Sequence, residues 1–422
     1  MTILGWVAIV IVILTIAALI KRWETRLVLF TSGLVLCLIS LQPMAALDAF
    51  AQSMTKGSLI TAICASMGFA MVSNYTKCDQ HLVALLSKPI KGLGLFLIPV
   101  CTAVTILVNI AIPSAAGTAA AVGSTLIPVM LRAGIAPAGA AAAVMLGTVG
   151  GLLSPGTSHN VYVAKMANME IMDFIGLHLP YSLTLYAFVI FGGLIMAIIF
   201  KDKSNKNSHA TIDESRKVQL IDNPNPIFAL MPLVPVILLV LGNSVLPQIK
   251  MGVAQAMVLG AIICLIITRS NPQELSKTFF NGMGKGYGDI LGIIIAAGVF
   301  AAGLKVTGLI DTFVELLKQS NEIARWGGSI GPWLLGAMTG SGDASTFAFN
   351  EAVTPHAAEF GMEVPKLGAL AFLTGTLGRT SSPIAGAMVV VSGLAMVSPI
   401  EVAKRTSVPC FCAVIVLALI MV

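Results

Sequence analysis

Long uncharged stretches recur along most of the chain. A helix rises about 1.5 Å per residue, so roughly 20 apolar residues cross the hydrocarbon core of a bilayer. Stretches free of Asp, Glu, Lys and Arg lie at 2–20, 27–47, 57–76, 92–131, 133–164, 174–200 and 223–249. This pattern predicts an all-α polytopic membrane protein. As one helix, the stretch 92–131 would be about 60 Å long, twice the hydrocarbon core, so we expect it to turn back at PSAAGT, 113–118.

The sequence repeats itself once, with an offset near 228 residues. The matched positions are Phe50, Met54, Lys56 and Gly57 with Phe279, Met283, Lys285 and Gly286; Ser114, Pro128 and Gly134 with Ser341, Pro355 and Gly361; and Gly147, Thr148, Gly150, Ser154 and Pro155 with Gly375, Thr376, Gly378, Ser382 and Pro383. This predicts two repeats, 1–200 and 227–422, joined by a polar linker, 201–226.

Each repeat is predicted to contain five crossings, an amphipathic arm and a re-entrant hairpin. In the first repeat these are scaffold helices within 1–76, an arm at 77–90, a hairpin at 92–132, a broken helix at 135–166 and a helix at 180–200. In the second repeat they are scaffold helices within 227–305 (crossings 227–247, 251–268 and 288–305), an arm at 309–322, a hairpin at 326–358, a broken helix at 366–397 and a helix at 405–422. An odd number of crossings inverts the second repeat relative to the first. Such repeats with helices broken at the midplane are typical of secondary transporters.

The distribution of basic residues predicts the orientation in the membrane. With the N-terminus outside, 17 of the 25 lysines and arginines fall in inside segments and 7 in outside segments, with Arg379 remaining. Basic residues favour the cytoplasmic side. We therefore expect both termini on the outer face and the linker 201–226 in the cytoplasm. A pair of full-length crossings in place of each hairpin gives the same sidedness, and the short or polar second arms favour re-entrance.

Composition excludes several other classes of protein. The chain is 57% hydrophobic and 10% charged, with a mean hydropathy of +0.93, whereas soluble domains carry about 25% charged residues. Its seven cysteines show no metal or disulfide spacing. Its basic residues lie in loops, which argues against a nucleic-acid partner. Ser158 and His159 do not support a hydrolase, because adjacent residues of a helix do not face each other. We therefore expect a protein that is not an enzyme and has no cofactor.

Four irregular polar stretches are expected near the middle of the membrane. They are PSAAGT (113–118), SPGTSHN (154–160), TGSGDAS (339–345) and GRTSSP (378–383). A helix that begins after each break directs unpaired N–H groups and a positive dipole end at the centre. Such groups suit a carboxylate, and the carbonyl and hydroxyl oxygens suit a small cation such as Na⁺.

Arg379 is the only charged residue between 367 and 397. A central arginine costs about 2.5–3.5 kcal/mol on insertion scales, so it normally faces a partner or a cavity. Its planar fork of donors matches a carboxylate. We consider two roles, which are compatible: an anchor for a substrate carboxylate, or a structural pair with Asp343 or with carbonyls at a helix end.

Four further polar residues allow more than one interpretation. Asp343 could bind a cation, accept a proton or neutralise Arg379. His159 could take a proton, donate to a substrate or bond a neighbouring hydroxyl. Asn160 could contact substrate or cap a helix, and Glu351 is either functional or solvated.

The segments TGSGDASTFAFNEA (339–352) and LGRTSSPIAGAMVVVSGLAMVSPIEVAKRTSVP (377–409) resemble anaerobic C4-dicarboxylate transporters of the DcuC type, within a superfamily of elevator-like ion transporters. The resemblance runs over the whole chain. It implies a homodimer in the bacterial inner membrane that exchanges or exports succinate against fumarate, malate or aspartate. It departs from the superfamily at the tips, which read SAAGT and SGDAS rather than Ser-Asn-Thr.

The resemblance implies that substrate lies between the two hairpin tips and the two helix breaks. By position, the implied substrate contacts are Ser114, Gly117, Thr118, Thr157, Ser158, His159, Asn160, Ser341, Asp343, Ser345, Arg379, Thr380, Ser381 and Ser382. Coupling to Na⁺, coupling to H⁺ and pure exchange are all open alternatives, and the residues nearest to a Na⁺ would be Ser114, Ser154, Ser341 and Asp343. Carriers of another organic anion or of an amino acid, and a Na⁺/H⁺ antiporter, remain alternatives.

Overall fold

All regular elements in the described part of the chain are helices. The computed structural model describes residues 3–21, 23–55, 57–87, 94–202, 223–244, 246–249, 251–310, 312 and 321–421. The first half contains α1 (Ile3–Ile20), α2 (Thr25–Ile39), α3 (Pro43–Met54), α4 (Gly57–Tyr75), α5 (Cys78–Ser87), α6 (Leu97–Ala111), α7 (Ala115–Arg132), α8 (Pro137–Gly147), α9 (Ser158–Met166) and α10 (Ile171–Ile199). The second half contains α11 (Pro226–Leu230), α12 (Val234–Ser244), α13 (Val253–Thr268), α14 (Pro272–Lys285), α15 (Gly292–Val306), α16 (Asn321–Thr339), α17 (Gly342–Ala352), α18 (Val364–Ser381), α19 (Gly386–Ala395) and α20 (Pro399–Ile420).

Within the described residues, six helical spans are long and apolar enough to cross a membrane. They are Gly94–Ala111, Ala115–Arg132, Pro137–Met166, Ile171–Ile199, Pro272–Val306 and Pro399–Ile420. Shorter apolar helices lie at Leu4–Leu19, Thr25–Ile39, Ile60–Tyr75, Pro226–Gly242 and Val253–Thr268. The predicted all-helical, multi-pass membrane architecture is therefore confirmed.

Some predicted boundaries differ from the observed helices. The stretch 27–47 forms two helices, because Leu41 is left-handed (φ 58°) and Pro43 starts a new helix, as expected where proline cannot continue one. The stretch 288–305 belongs to a longer helical span, Pro272–Val306, which passes through a π-turn at Gly286–Leu291. The last helix of each half starts earlier than predicted, at Ile171 and Pro399.

Longer parts of the predicted linker and arms lie outside the described residues. They are residues 203–222 of the linker 201–226 and residues 311 and 313–320 of the second arm, 309–322. The first arm, predicted at 77–90, contains α5, and residues 88–90 likewise fall outside the described part.

Two helical hairpins and two interrupted helices lie where the sequence predicted chain reversals and breaks. The first hairpin joins α6 to α7 at 112–114, and the second joins α16 to α17 at 340–341. Gly340 has a φ of +72°, a conformation that favours glycine. The helix pairs α8/α9 and α18/α19 are separated by irregular segments, which we name break 1 (148–157) and break 2 (382–385). Break 1 includes a 3₁₀ turn at Gly150–Leu153.

Close backbone packing joins the helices that flank this centre. At the crossing of α2 and α15, a Cβ on Gly33 would lie 2.5 Å from the carbonyl oxygen of Val299, and a Cβ on Gly303 would lie 2.7 Å from the carbonyl oxygen of Gly33. Small residues allow such approach between membrane helices, where packing rather than hydrophobic expulsion drives association. On the other side, α4 packs against α13 and α14.

A buried ion pair fixes the ends of three central helices. The Arg405 guanidinium in α20 donates to both carboxylate oxygens of Asp202, at 2.6 and 2.7 Å, and stacks over the Phe200 ring at 4.4 Å. Asp202 follows α10, and its carbonyl accepts from the N–H of Ala136, just before α8. The pair thus holds α8, α10 and α20 together.

We predict that Asp202→Ala destabilises the protein by about 3–5 kcal/mol, because it leaves the buried Arg405 charge with only the more distant, partly exposed carboxylate of Glu401. The measurement is thermal unfolding of the purified protein in detergent. The control is Lys404→Gln, which removes an exposed ion pair with Glu401 and should change the melting temperature little. Equal melting temperatures for both variants would contradict this role of the pair.

Candidate functional site

A cavity of about 800 Å³ lies between the hairpin tips, the helix breaks and α4. Seven of its polar lining residues come from the predicted stretches: Ser114, Ser154, Thr157, Ser158, His159, Ser341 and Asp343. Arg379 and Gly117 also line it. The structure therefore brings residues from all four polar stretches, which extend in sequence from Ser114 to Arg379, to one cavity.

Each polar stretch leads into a helix that begins at the cavity. These helices start at Ala115, Ser158, Gly342 and Gly386. Ser114 caps α7 by accepting from the N–H of Gly117 at 3.2 Å. Ser341 caps α17 by accepting from the N–H of Ala344 at 3.1 Å. Each cap satisfies one N–H of its first turn, and the others in that turn remain available to a ligand.

Break 1 is held open by buried amide side chains. The Asn109 oxygen accepts from the N–H of Gly151 at 2.6 Å, and its amide donates to the carbonyl of Ile112 and to Thr118. One side chain thus ties the first hairpin tip to break 1. Thr157 closes the other end of the break by donating to the carbonyl of Gly151.

Asn160 satisfies break 1 from its far side. Its amide donates to the carbonyls of Leu152 and Ser154 at 2.7 and 2.9 Å, and its oxygen bonds His178 at 3.1 Å. Tyr186 of α10 donates to the carbonyl of Gly150. Asn160 is fully buried, so its observed contacts are with the protein backbone and α10.

Arg379 reaches from α18 to the end of α8. Its guanidinium donates to the hydroxyl of Thr148 at 3.3 Å and to the carbonyl of Thr148 at 3.1 Å. Thr148 is the residue that ends α8. The guanidinium therefore bonds a helix-end carbonyl, one of the two partners that the sequence suggested for a structural role, and it also lines the cavity.

Asp343 bonds His159 rather than Arg379. The distance from the His159 Nε2 to the Asp343 Oδ1 is 2.8 Å. The imidazole lies between the rings of Phe347 and Phe372, with centroids 4.2 and 4.7 Å away. The Asp343 side chain is 51% exposed and lines the cavity. The site therefore contains a cation, Arg379, and an anion, Asp343, that do not bond each other. Arg379 bonds Thr148, and Asp343 bonds His159.

Six predicted contact residues do not line the cavity. They are Thr118, Asn160, Ser345, Thr380, Ser381 and Ser382, all buried. The Thr118, Ser345, Thr380 and Ser381 hydroxyls donate to carbonyls of their own segments, those of Ile112, Gly342, Thr376 and Leu377. In this structure their hydroxyls are engaged with the backbone. Glu351 also lies away from the cavity, on α17 beside Gly298 of α15.

Several residues of the site escaped the sequence analysis. Asn109 is the sole Asn in an uncharged stretch of 40 residues, a signal that could have singled it out. Phe347 and Phe372 look like ordinary core residues in sequence. Asp79, which lines the far end of the cavity and accepts from Asn74 and from the N–H of Gln80, was assigned only to the arm.

A metal centre is not indicated by acidic, Cys or His clusters. Among the described residues, no group of three or more such side chains could hold a metal ion. The four residues predicted near a Na⁺, Ser114, Ser154, Ser341 and Asp343, all line the same cavity. A Na⁺ site there remains a prediction.

The fold and the site together define a multi-pass membrane carrier with a polar cavity at its centre. The sequence model of the DcuC family, described as the C4-dicarboxylate anaerobic carrier, matches residues 4–422. The chain therefore belongs to the DcuC family, and it is a transporter rather than an enzyme.

Relatives with known sequences agree with this assignment. A Haemophilus influenzae protein named as an uncharacterized transporter is 46% identical over 278 residues, which are 64% of this chain and 100% of the relative. A second transporter sequence from that organism is 61% identical over 132 residues, 31% of this chain and 91% of the relative. The anaerobic C4-dicarboxylate transporter DcuC of Escherichia coli K12 is 29% identical over 369 residues, 84% of this chain and 77% of the relative.

We predict that Asn109→Ala lowers stability by about 1–3 kcal/mol, because the buried Asn109 amide bonds the N–H of Gly151 and the carbonyl of Ile112, and both lose this partner. Transport should fall as well, since the hairpin tip is no longer tied to break 1. The measurements are thermal unfolding and substrate uptake. Thr184→Ala is the matched control, because the Thr184 hydroxyl donates to the carbonyl of Pro180 within its own helix, α10, away from the cavity. A variant as stable and active as the control would show that Asn109 does not support the site.

Proposed function

We propose that this protein is a secondary carrier of C4-dicarboxylates in a bacterial inner membrane, acting by exchange or by succinate efflux. The observation that carries the proposal is Arg379, a permanent cation on a central cavity of a DcuC-family chain. The substrates follow the names of its relatives, and we take succinate, fumarate, malate and aspartate as the set to test.

The cavity offers different groups to the two ends of such a substrate. Arg379 can turn from Thr148 to a carboxylate, which it matches with two parallel hydrogen bonds. The first turns of α7 and α17, with the hydroxyl of Ser158, provide donors for the second carboxylate. When Arg379 leaves Thr148 to bind substrate, the Thr148 carbonyl at the end of α8 would accept a hydrogen bond from water in the cavity.

The mechanism that we favour is an elevator or rocking motion between inverted repeats. In it, the two hairpins, the two broken helices, α10 and α20 move against the remaining helices, which form the scaffold of a homodimer. The repeated order of hairpin, broken helix and last helix supports this division. The packing of the two hairpins also differs. In the second hairpin, α17 lies against the scaffold helix α15, whereas in the first, α7 is separated from the scaffold helix α4 by the cavity.

We propose that the cavity in this structure is open to the cytoplasm. The cavity extends to Asn74, Asp79 and Gln80, at the end of α4 and the start of α5. The charge distribution places this end inside, with both termini outside and the linker 201–226 cytoplasmic. This orientation remains part of the proposal.

A second candidate function is transport of an amino acid or another organic anion. The observation that favours it is the exposed carboxylate of Asp343 on the same cavity as Arg379. Opposite charges on one cavity suit a substrate that carries both an amino group and a carboxylate. The number of acid groups on the substrate therefore separates the two functions.

We predict that Arg379→Ala lowers succinate exchange at least about tenfold. The variant removes the cation that would pair with a substrate carboxylate, and truncation of one partner of such a buried charge pair costs about 2–5 kcal/mol or more. The measurement is uptake of labelled succinate into proteoliposomes preloaded with fumarate, succinate, aspartate or buffer, with and without a Na⁺ gradient. Arg379→Lys should restore little, since lysine cannot bind a carboxylate in a bidentate way.

The control is Arg132→Ala, an exposed arginine at the end of α7, which should leave exchange unchanged. Folding of each variant is checked by its melting temperature. Unaltered exchange in a folded Arg379→Ala protein would refute the anchor. Failure of the wild type to transport any dicarboxylate, with uptake of an amino acid instead, would select the second function.

We also predict that a cysteine at Ala120, which lines the cavity, reacts with an impermeant maleimide from the cytoplasmic side. The test uses inside-out and right-side-out vesicles of a Cys412→Ser background, because Cys412 is exposed. Preferential labelling in right-side-out vesicles would overturn the proposed orientation or access state.

A further inference from the structure

His159 and Asp343 form an isolated polar pair that connects the two halves of the chain. His159 lies in the first turn of α9, directly after break 1, and Asp343 lies in the first turn of α17, directly after the second hairpin tip. Their 2.8 Å contact therefore joins one element of each half at the cavity.

Of the two ring nitrogens of His159, Nε2 has a hydrogen-bond partner among the described residues, Asp343. Phe347 and Phe372 flank its two faces, with ring planes inclined by 32° and 35°. The ring is 4% exposed, and its Nδ1 is buried with no hydrogen-bond partner among the described residues. Exchange of protons with water is thereby confined to the Nε2 edge, where Asp343 lies.

Asp343 connects this edge to the cavity. About half of its side chain is exposed, and it lines the cavity that holds Arg379. A proton from cavity water can therefore reach the carboxylate directly and be shared along the hydrogen bond to the imidazole. The pair carries a net charge of about −1 with neutral histidine and about 0 with one more proton, whichever of the two groups holds it.

Few other charges act on the pair. The elements packed against α9 include α4, α10, α17 and α18. α4 contains no charged residue, and the His178 of α10 bonds Asn160 and Ser182 instead. On α17 and α18 the charged groups besides Asp343 are Glu351 beside Gly298, Lys366 paired with Glu363, and Arg379. The packed elements also carry Asp173 on α10, Lys305 on α15 and Arg325 on α16, and Asp79 lines the far end of the cavity. At the second hairpin tip itself, the balance of charge depends on Asp343, His159 and Arg379.

We propose that the His159–Asp343 pair is a proton-binding site of this carrier and that it takes up one proton when a dianionic dicarboxylate binds. This rests on the proposed function. The proton comes from water or buffer in the cavity and ends on the pair, and no bond to substrate forms or breaks. A dianion then meets a neutral pair and Arg379, instead of an additional negative charge.

Linkage fixes the direction of the effect. Protonation removes like-charge repulsion, so the proton strengthens dianion binding and the dianion strengthens proton binding by the same factor. Coupling between sites typically changes affinity about 5–150-fold. The apparent affinity for the dianion should therefore fall as pH rises, by at least about fivefold.

The two residues should respond to substitution in opposite directions. Asp343→Asn removes the negative charge from the pair, so dianion affinity should stay high and lose the wild-type fall with rising pH. His159→Asn leaves the Asp343 charge without its proton-sharing partner, so affinity should be low until Asp343 itself is protonated. A purely structural bridge predicts instead that both variants lose affinity alike.

The experiment measures the KM for labelled fumarate in counterflow between about pH 5.5 and 8.5, a range that brackets the ordinary titration of histidine. Fumarate remains a dianion across this range, so changes reflect the protein. The variants are Asp343→Asn and His159→Asn, and the control is His356→Asn, an exposed histidine that bonds Glu359. The control should keep the wild-type profile.

A second measurement needs only the wild type. Calorimetry of fumarate binding in two buffers of different ionisation enthalpy gives the number of protons taken up, which we expect to approach one at a pH where the free pair is deprotonated. This result stays decisive if either variant fails to fold.

Two outcomes overturn the proton site while leaving the proposed function intact: fumarate exchange by the wild type with a KM independent of pH, or fumarate binding without proton uptake. A loss of affinity in both variants with unchanged slope would assign the pair a structural role. Absence of fumarate exchange and binding at every pH would instead reject the proposed function, and the proton site with it.

Discussion

Lipid cannot hydrogen-bond a free backbone group, and this constraint governs the centre of the molecule. A helix that stops inside the membrane exposes N–H and C=O groups, each of which needs a partner or contact with a water-filled cavity. Asn109 and Asn160 supply partners to break 1, and Arg379 supplies one to the end of α8. Tyr186 and Thr157 bond the carbonyls of Gly150 and Gly151. The same breaks that would destabilise an ordinary membrane helix therefore create the polar surface on which a carrier of this family depends.

The charges of the site are unevenly shared between the two halves of the sequence. At the offsets of the repeat, Arg379 corresponds to Gly151, Asp343 to Ala116, and His159 to Ala387. Each charged or titratable group thus has a small residue as its counterpart, and all three counterparts line the same cavity. Small residues leave room where large polar ones project. On this view, the repeat provides the cavity and its helix ends, while the departures from the repeat provide the chemistry that distinguishes one substrate from another.

Much of the architecture was predictable from local sequence. Uncharged length predicted the crossings, and the 40-residue stretch predicted a chain reversal. Gly, Pro and Ser clusters predicted breaks at 154–160 and 378–383, and the structure has them shifted by a few residues, at 148–157 and 382–385. The uncharged stretch 27–47 predicted one crossing, whereas the structure has two helices there, because Pro43 starts a new helix. The site was predictable as four polar segments but not residue by residue. Hydroxyls such as those of Ser381 and Thr380 look free in sequence, yet in the helix they bond to the carbonyls of the preceding turn.

The sequence by itself determined that this chain is a multi-pass helical membrane protein of the DcuC family with polar interruptions, because hydrophobic length, turn residues and family motifs are local properties. Only the tertiary structure decided which polar groups meet. Arg379 and Asp343 are both charged and both central, and sequence allowed a direct pair. In the folded protein Thr148 and His159 are their partners, since hydrogen-bond geometry between separate helices depends on how those helices pack, and packing is not encoded in any one segment.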